Sequence, residues 1–489
     1  MTRLSITGRL FLPALFGLAM LMACSSGSST PDPTPEPTPE PPPVNPEPPV
    51  QLEDSVYVDL ANQADASFIL PAPPSVEEED FVDDEIQWQW GKTQRGTARG
   101  EVAMLRMGRT PAPVRLMMAG ALDLDVISSE ATPALDRLLV RAYWTGFQST
   151  EYIKSKYLRE RPFATLGESA WYAPDAEDAT GSYASATTAA GWAVSLIFAE
   201  MWTPKQDPIL RLGFLFGEDR VISGSNYQSD VNAGYLCGSI AVAMAHNNPK
   251  LEEDIAAARE EYKRLKSLAI NPQNFGDLDD PTGLNIINPP VTTTDYRYDG
   301  DLARYYYAKS LRTTIQGTQA TQDVNGYSDN MTKIFGEVLR IEASEETTPE
   351  IYKLIETVRP RSVHLIRGVK QAYFRNRPFV ELGEPTSVPE EEDNYRYESS
   401  FPSGHSSLAW ADALVLAEAI PERARNLLHR AYEFGYNRQI TGYHWATDID
   451  AARILACGLV ARLHVDEEFR KQIQLAREDY LRVANGESR

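Results

Sequence analysis

The strongest constraint on this chain is that most of it is written twice. Residues 182–200 read SYASATTAAGWAVSLIFAE and residues 400–418 read SFPSGHSSLAWADALVLAE, with seven of the nineteen positions identical, Trp192 and Trp410 among them. Thr132-Pro133 opens a stretch ending in Arg161-Pro162-Phe163, and Thr348-Pro349 opens one ending in Arg377-Pro378-Phe379, 216 residues on at both ends. FGEDRVISGSNYQSDV (216–231) lies over FGYNRQITGYHWATDI (434–449), and AAREEY (257–262) over LAREDY (475–480), both 218 apart. Self-similarity of this length implies two copies of one domain. The first is expected over 51–268 and the second over 296–485, with 269–295, rich in Pro, Gly, Asn and Asp, as a linker.

The fold class follows from the period of the apolar residues. SSLAWADALVLAEAI, DIDAARILACGLVARLH and the stretch from Pro349 to Tyr373 place them every three to four positions, as helices require. No run of alternating β-branched residues marks a strand. Both copies are expected to be all-α helical bundles, with function in the loops and helix ends.

The N-terminus reads as a targeting segment. Arg3 and Arg9 precede the apolar stretch LFLPALFGLAMLMA, which is short for a membrane span. It ends in Leu21-Met22-Ala23-Cys24, similar to a bacterial lipobox, which implies a signal peptide over 1–23, cleavage before Cys24 and lipidation of its thiol. A Pro-rich tether over 24–50 follows; as polyproline II it would reach roughly 80 Å from a membrane. The expected location is outside the cytoplasm, on a bacterial membrane through the lipid alone. A formal charge of −22 argues against a nucleic-acid binder, so any anion site must be a local cationic pocket. The two remaining cysteines, Cys237 and Cys457, sit in apolar helical stretches and read as buried free thiols.

The second copy carries the chemistry-bearing residues. Lys370 and Arg377 lie seven apart, two helical turns, which predicts one shared helix face ended or bent at Pro378: a solvated surface or half of an anion site. Pro402-Ser403-Gly404-His405 precedes a helical run whose first amides are unpaired, so it is a capping turn or an anion site with His405 beside it. Arg438 precedes His444 by six and Asp448 follows by four; a helix starting near His444 would let Asp448 hold one ring nitrogen, either structurally or to free the other as a nucleophile.

Lys-x6-Arg-Pro, Pro-Ser-Gly-His and Arg-x5-His-x3-Asp, in this order, resemble the type 2 phosphatidic acid phosphatase superfamily, which includes the vanadium haloperoxidases. The context GYHWATDIDAAR resembles bacterial class A non-specific acid phosphatases most. The resemblance implies that Lys370, Arg377 and Arg438, with Ser403 and the Gly404 amide, hold the phosphoryl oxygens. It implies that His444 forms a phosphohistidine, Asp448 orients it and His405 protonates the leaving alkoxide. Three fixed cations can do what metal ions do elsewhere, so no metal is expected. Asn437 departs from the family pattern, which has Ser before the arginine.

The first copy keeps Lys154, Arg161, Arg220 and Asp230 but has Thr187 at the place of the acid and Asn226 at that of the nucleophile. Asn forms no phospho-intermediate, so this copy is expected to be degenerate and to persist as an intrachain partner of the second. The expected function is an exported, metal-independent phosphomonoesterase acting on a small phosphate ester, with vanadate as an inhibitor. The alternatives are a vanadate-dependent haloperoxidase, with vanadate as cofactor, and a non-catalytic phosphate-binding surface protein.

Overall fold

The computed structural model describes residues 56–58, 69–168, 171, 181–201, 205–266, 282–327 and 331–486. Cys24, the signal segment and the tether lie outside them. Among the described residues there are helices and turns and no strand, and no helix is long and apolar enough to cross a membrane.

The main helices come in two parallel series. In the first half these are α1 (Phe81–Gln94), α2 (Pro133–Gln148), α3 (Ala186–Met201), α4 (Gln206–Ser223), α5 (Gln228–Ala245) and α6 (Pro249–Lys266). In the second they are α7 (Tyr298–Ser310), α8 (Pro349–Ala372), α9 (Gly404–Ala419), α10 (Ala424–Ile440), α11 (Ala446–Leu463) and α12 (Glu467–Ala484). The local signals that start and stop them recur at matched positions. α2 and α8 each begin with Pro at the first helical position after a Thr, where the missing N–H costs nothing. α4 ends on Gly224 and the turn after α10 contains Gly442, both at positive φ (75° and 90°).

α3 is buried on every side and α9 nearly so, which makes each the central helix of its half. α2, α4 and α5 pack around α3, and α8, α10 and α11 around α9. The halves do not have separate cores: α3 also packs on α11 and α5 on α9, and one apolar cluster runs through Leu138, Trp192, Phe198, Trp410, Leu416 and Leu455. Part of the expected linker is packed as well. Ile286 and Ile287 are buried, and Arg211 holds the Ile286 carbonyl (3.2 Å) and Asn288 Oδ1 (2.8 Å).

Where the halves meet, equivalent residues touch each other, as they do on a two-fold axis. Asn232 donates to Asp450 Oδ2 (3.0 Å) and Ser239 Oγ lies 3.0 Å from Cys457 Sγ, each pair 218 residues apart. Both cysteines are buried free thiols, as expected. At the ends of α5 and α11 the rings of His246 and His464 stack with centroids 4.0 Å apart. His246 Nε2 stands 3.2 Å from Glu200 and His464 Nε2 2.8 Å from Glu418, so two stacked imidazoles sit between two buried carboxylates. Burial alone would lower the His246 pKa, but the Glu200 and Glu418 charges outweigh it and raise it to about 9.

Candidate active site

The site is assembled from four segments of the second half. Ser403 is the N-cap of α9; its Oγ accepts from the Ser406 amide (3.4 Å) and pairs with Ser406 Oγ (2.8 Å). Gly404 is the first helical residue, and a Cβ there would meet only Ile366, at an ordinary contact distance of 3.7 Å. His405 follows in the first turn. The tetrapeptide is thus the capping turn that the sequence allowed, at the N-terminus of a buried helix.

Lys370 lies in the last turn of α8, and its Nζ donates to the Ser399 carbonyl. Arg377 is not on that helix. α8 ends at Ala372, and Arg377 is extended (ψ 153°) as the N-cap of a short helix that Pro378 begins. A residue before proline is pushed out of the α region, so the two cations converge through a bend rather than a shared helix face. Arg377 Nε donates to the Tyr395 carbonyl and Nη1 to that of Tyr443, both at 3.1 Å. Arg438, in the last turn of α10, is wholly buried with its guanidinium 5.1 Å from the Tyr443 ring centroid. Its carbonyl accepts from the Tyr443 and His444 amides, and Gly442 supplies the positive φ that this return needs.

His444 also lies outside a helix. α11 starts at Ala446 with Trp445 as N-cap, and Asp448 is its third residue, so a capping turn and not a helix face pairs the two. His444 Nδ1 is 3.4 Å from Asp448 Oδ2, and Nε2 is 3.1 Å from Arg377 Nη1. Guanidinium nitrogens only donate, so Nε2 is the acceptor and the ring proton sits on Nδ1, facing Asp448.

Electrostatically the site is a buried cluster of positive charge. Burial first, and Arg377 second, push Lys370 down to about 7; burial and Arg438 push Arg377 to about 10. Burial and the same cations hold His405 and His444 well below the usual imidazole value, which favours the neutral form of both. Asp448 accepts from the Trp445 amide (2.9 Å), the Ser400 hydroxyl and Arg375 Nη1 (2.8 Å). The sequence reading missed Ser400, Arg375 and Asp301, the last of which accepts from Arg375 Nη2 at 2.6 Å. The one signal for them was that Arg375 and Ser400 recur in the first copy as Arg159 and Ser182. Asn437 faces away: its amide donates to Asp323 (2.7 Å), which also holds Arg430.

The first half repeats the frame with Thr187 and Asn226 where the second has His405 and His444. Lys154 Nζ donates to the Gly181 carbonyl and Arg161 Nη1 to that of Ser225 (2.8 Å), as their counterparts do. Asp230 accepts from Arg159 (2.7 Å), the Ser182 hydroxyl and the Tyr227 amide (2.8 Å). Asn226 turns back on the loop, donating to the Ser182 carbonyl (2.9 Å) and accepting from Ser185 Oγ (3.3 Å). Thr187 stands in the first turn of α3, and Arg220 Nη2 is engaged by the Arg106 carbonyl (2.7 Å).

A family model described as PAP2 superfamily matches residues 361–471, the stretch that contains all of these second-half site residues except Asp301. A non-specific acid phosphatase of Providencia stuartii is 37% identical over 201 residues, 41% of this chain and 81% of that protein. The chain belongs to the PAP2 superfamily. A non-specific acid phosphatase of Salmonella typhimurium (33% over 192 residues, 39% of this chain and 77% of the relative) and an acid phosphatase of Zymomonas mobilis (30% over 191 residues, 39% and 72%) agree with it. Within the PAP2 superfamily this protein is a phosphatase, a phosphoric monoester hydrolase with an all-α fold.

Proposed function

We propose that the second half hydrolyses small phosphate monoesters through a phosphohistidine on His444, without a metal. The observation that supports this reading is the setting of His444: Nε2 accepts from Arg377 Nη1 (3.1 Å), the charges of Lys370 and Arg438 act on the same ring, and Nδ1 lies 3.4 Å from Asp448. On phosphate entry Arg377 Nη1 exchanges His444 for a phosphoryl oxygen, which frees Nε2. Nε2 then attacks phosphorus, the P–O ester bond breaks, and His405 gives its proton to the departing alkoxide. Water next attacks the phosphohistidine, His405 takes up its proton, and phosphate leaves with Nε2 restored. Three cations and the Ser403–Gly404 turn neutralise the equatorial oxygens, the role that bound metals play in other phosphoryl transferases. The cations around His405 favour its neutral form, so its proton must come at low pH or with the charge of the bound phosphate; the cluster therefore favours acid conditions.

The first half, with Asn226 and Thr187 in place of the two histidines, is non-catalytic in this reading and serves as the built-in partner of the second. The protein is exported and lipid-anchored at Cys24, with the Pro-rich tether as spacer. His444→Ala decides the mechanism: acid-quenched wild type given a labelled ester should carry acid-labile label on His444, and the variant neither label nor turnover. Turnover in the variant, or vanadate-dependent bromide oxidation in place of ester hydrolysis, would overturn the reading.

A further inference from the structure

We propose that Asp301, Arg375 and Asp448 form a positioning relay that sets the orientation of the nucleophile, so that Arg375, though remote from substrate, controls turnover. The inference rests on the reading of His444 as the nucleophile. Arg375 lies between two buried carboxylates: Nη1 donates to Asp448 Oδ1 at 2.8 Å and Nη2 to Asp301 Oδ2 at 2.6 Å. Thr447 closes the far end, its amide (3.2 Å) and hydroxyl (2.6 Å) both donating to Asp301, and its hydroxyl accepting from Arg375 (2.8 Å). All three ionisable groups are at most 8% exposed. The other oxygen of Asp448 faces His444 Nδ1, so the row ends on the ring that must hold its tautomer. Other charged and titratable groups reach this row from both ends: Lys370 and Arg377 act on Asp448, while Asp83, Tyr298 and Arg304 act on Asp301.

Withdrawing the guanidinium leaves two carboxylates facing each other with no cation between them, which favours their protonated forms. A protonated Asp448 no longer favours the Nδ1–H tautomer of His444, so the loss is greatest at low pH. The first half holds the control that separates positioning from structural support. Asp84, Arg159 and Asp230 repeat the row, with Arg159 at 2.8 Å from Asp84 and 2.7 Å from Asp230, but next to Asn226.

The test compares Arg375→Met, Arg375→Lys, Asp301→Asn and Arg159→Met in the full chain, by melting temperature and by the pH profile of kcat. Arg375→Met should lose about 10–100-fold in kcat, the usual cost of an outer-shell partner, with little change in KM and an acid limb moved to higher pH. Asp301→Asn should shift the limb in the same direction, and Arg375→Lys should recover part of the loss. Arg159→Met should lower the melting temperature comparably and leave the kcat profile where it was. If Arg375→Met fails to fold, Asp301→Asn and Arg375→Lys carry the comparison. An unmoved acid limb in the second-half variants, or an equal shift from Arg159→Met, overturns the relay. His444→Ala serves as the separate control: a dead variant with an unmoved Arg375 profile refutes the relay alone, and an active one refutes the nucleophile assignment beneath it.

Discussion

The stacked His246–His464 pair makes stability at the junction of the halves depend on pH, with a sign that can be worked out. The folded protein raises His246 from the ordinary 6.5 to about 9, because two buried carboxylates outweigh the cost of burying the imidazolium. A folded pKa above the unfolded one means that folding favours the protonated ring. That contribution is complete below about 6.5 and is lost as pH rises through about 9. The displacement corresponds to on the order of 3 kcal/mol. For a cooperative body of more than 400 residues, scaling from smaller domains gives about 1–2 °C per kcal/mol, hence about 3–5 °C between pH 7 and 10. Melting followed by tryptophan fluorescence should show this drop in wild type beyond whatever remains in His246→Gln, which has no titrating ring there. Parallel curves for the two proteins over that range would refute the argument.

Lys370, pushed down to about 7, loses its charge as pH rises through neutrality, so kcat/KM should fall there; Lys370→Arg should move that limb to higher pH, as stopped assays across pH 5–9 would show. Replacing His405 by Ala should cost far more on simple alkyl phosphates than on p-nitrophenyl phosphate, because a good leaving group departs without a proton; equal losses would make it a binding residue. Trp192→Ala, in the first half, should cost about 3–5 kcal/mol in urea titration and unfold both halves in one transition, since Trp192 and Trp410 belong to one core. Two separate transitions would show that the halves are cored independently.

The helices and the candidate site residues were legible in the sequence for different reasons. Apolar period and the Thr-Pro and Ser-Gly signals are local, and they mark α2, α8 and α9 directly. The site residues were legible as identities, but two of the geometries inferred from spacing were not the ones the chain adopts. Lys370 and Arg377 are seven apart, yet the constraint that Pro378 imposes on its predecessor outweighs helix propensity. His444 and Asp448 are four apart, yet Asp448 caps the helix that would have carried both. The relay was out of reach because Asp301 and Arg375 stand 74 residues apart and only packing brings them together. The His246–Glu200 and His464–Glu418 pairs belong to the same class: each residue looks like an ordinary surface charge until the helices cross.

Joining the halves in one chain changes what dilution and mutation can do to them. Two molecules meeting through such a face would separate as they are diluted, whereas a tethered half sees its neighbour at an effective concentration on the order of millimolar however few molecules are present. A two-fold homodimer must also set each axial residue against its own copy, and any substitution there strikes twice. This chain escapes that rule. Asn232 opposes Asp450 as an amide meeting a carboxylate, and Ser239 opposes Cys457 as a hydroxyl meeting a thiol. Each side of the seam can change alone, and Asn226 can stand where the other half has His444 while each half keeps the shape against which its neighbour packs.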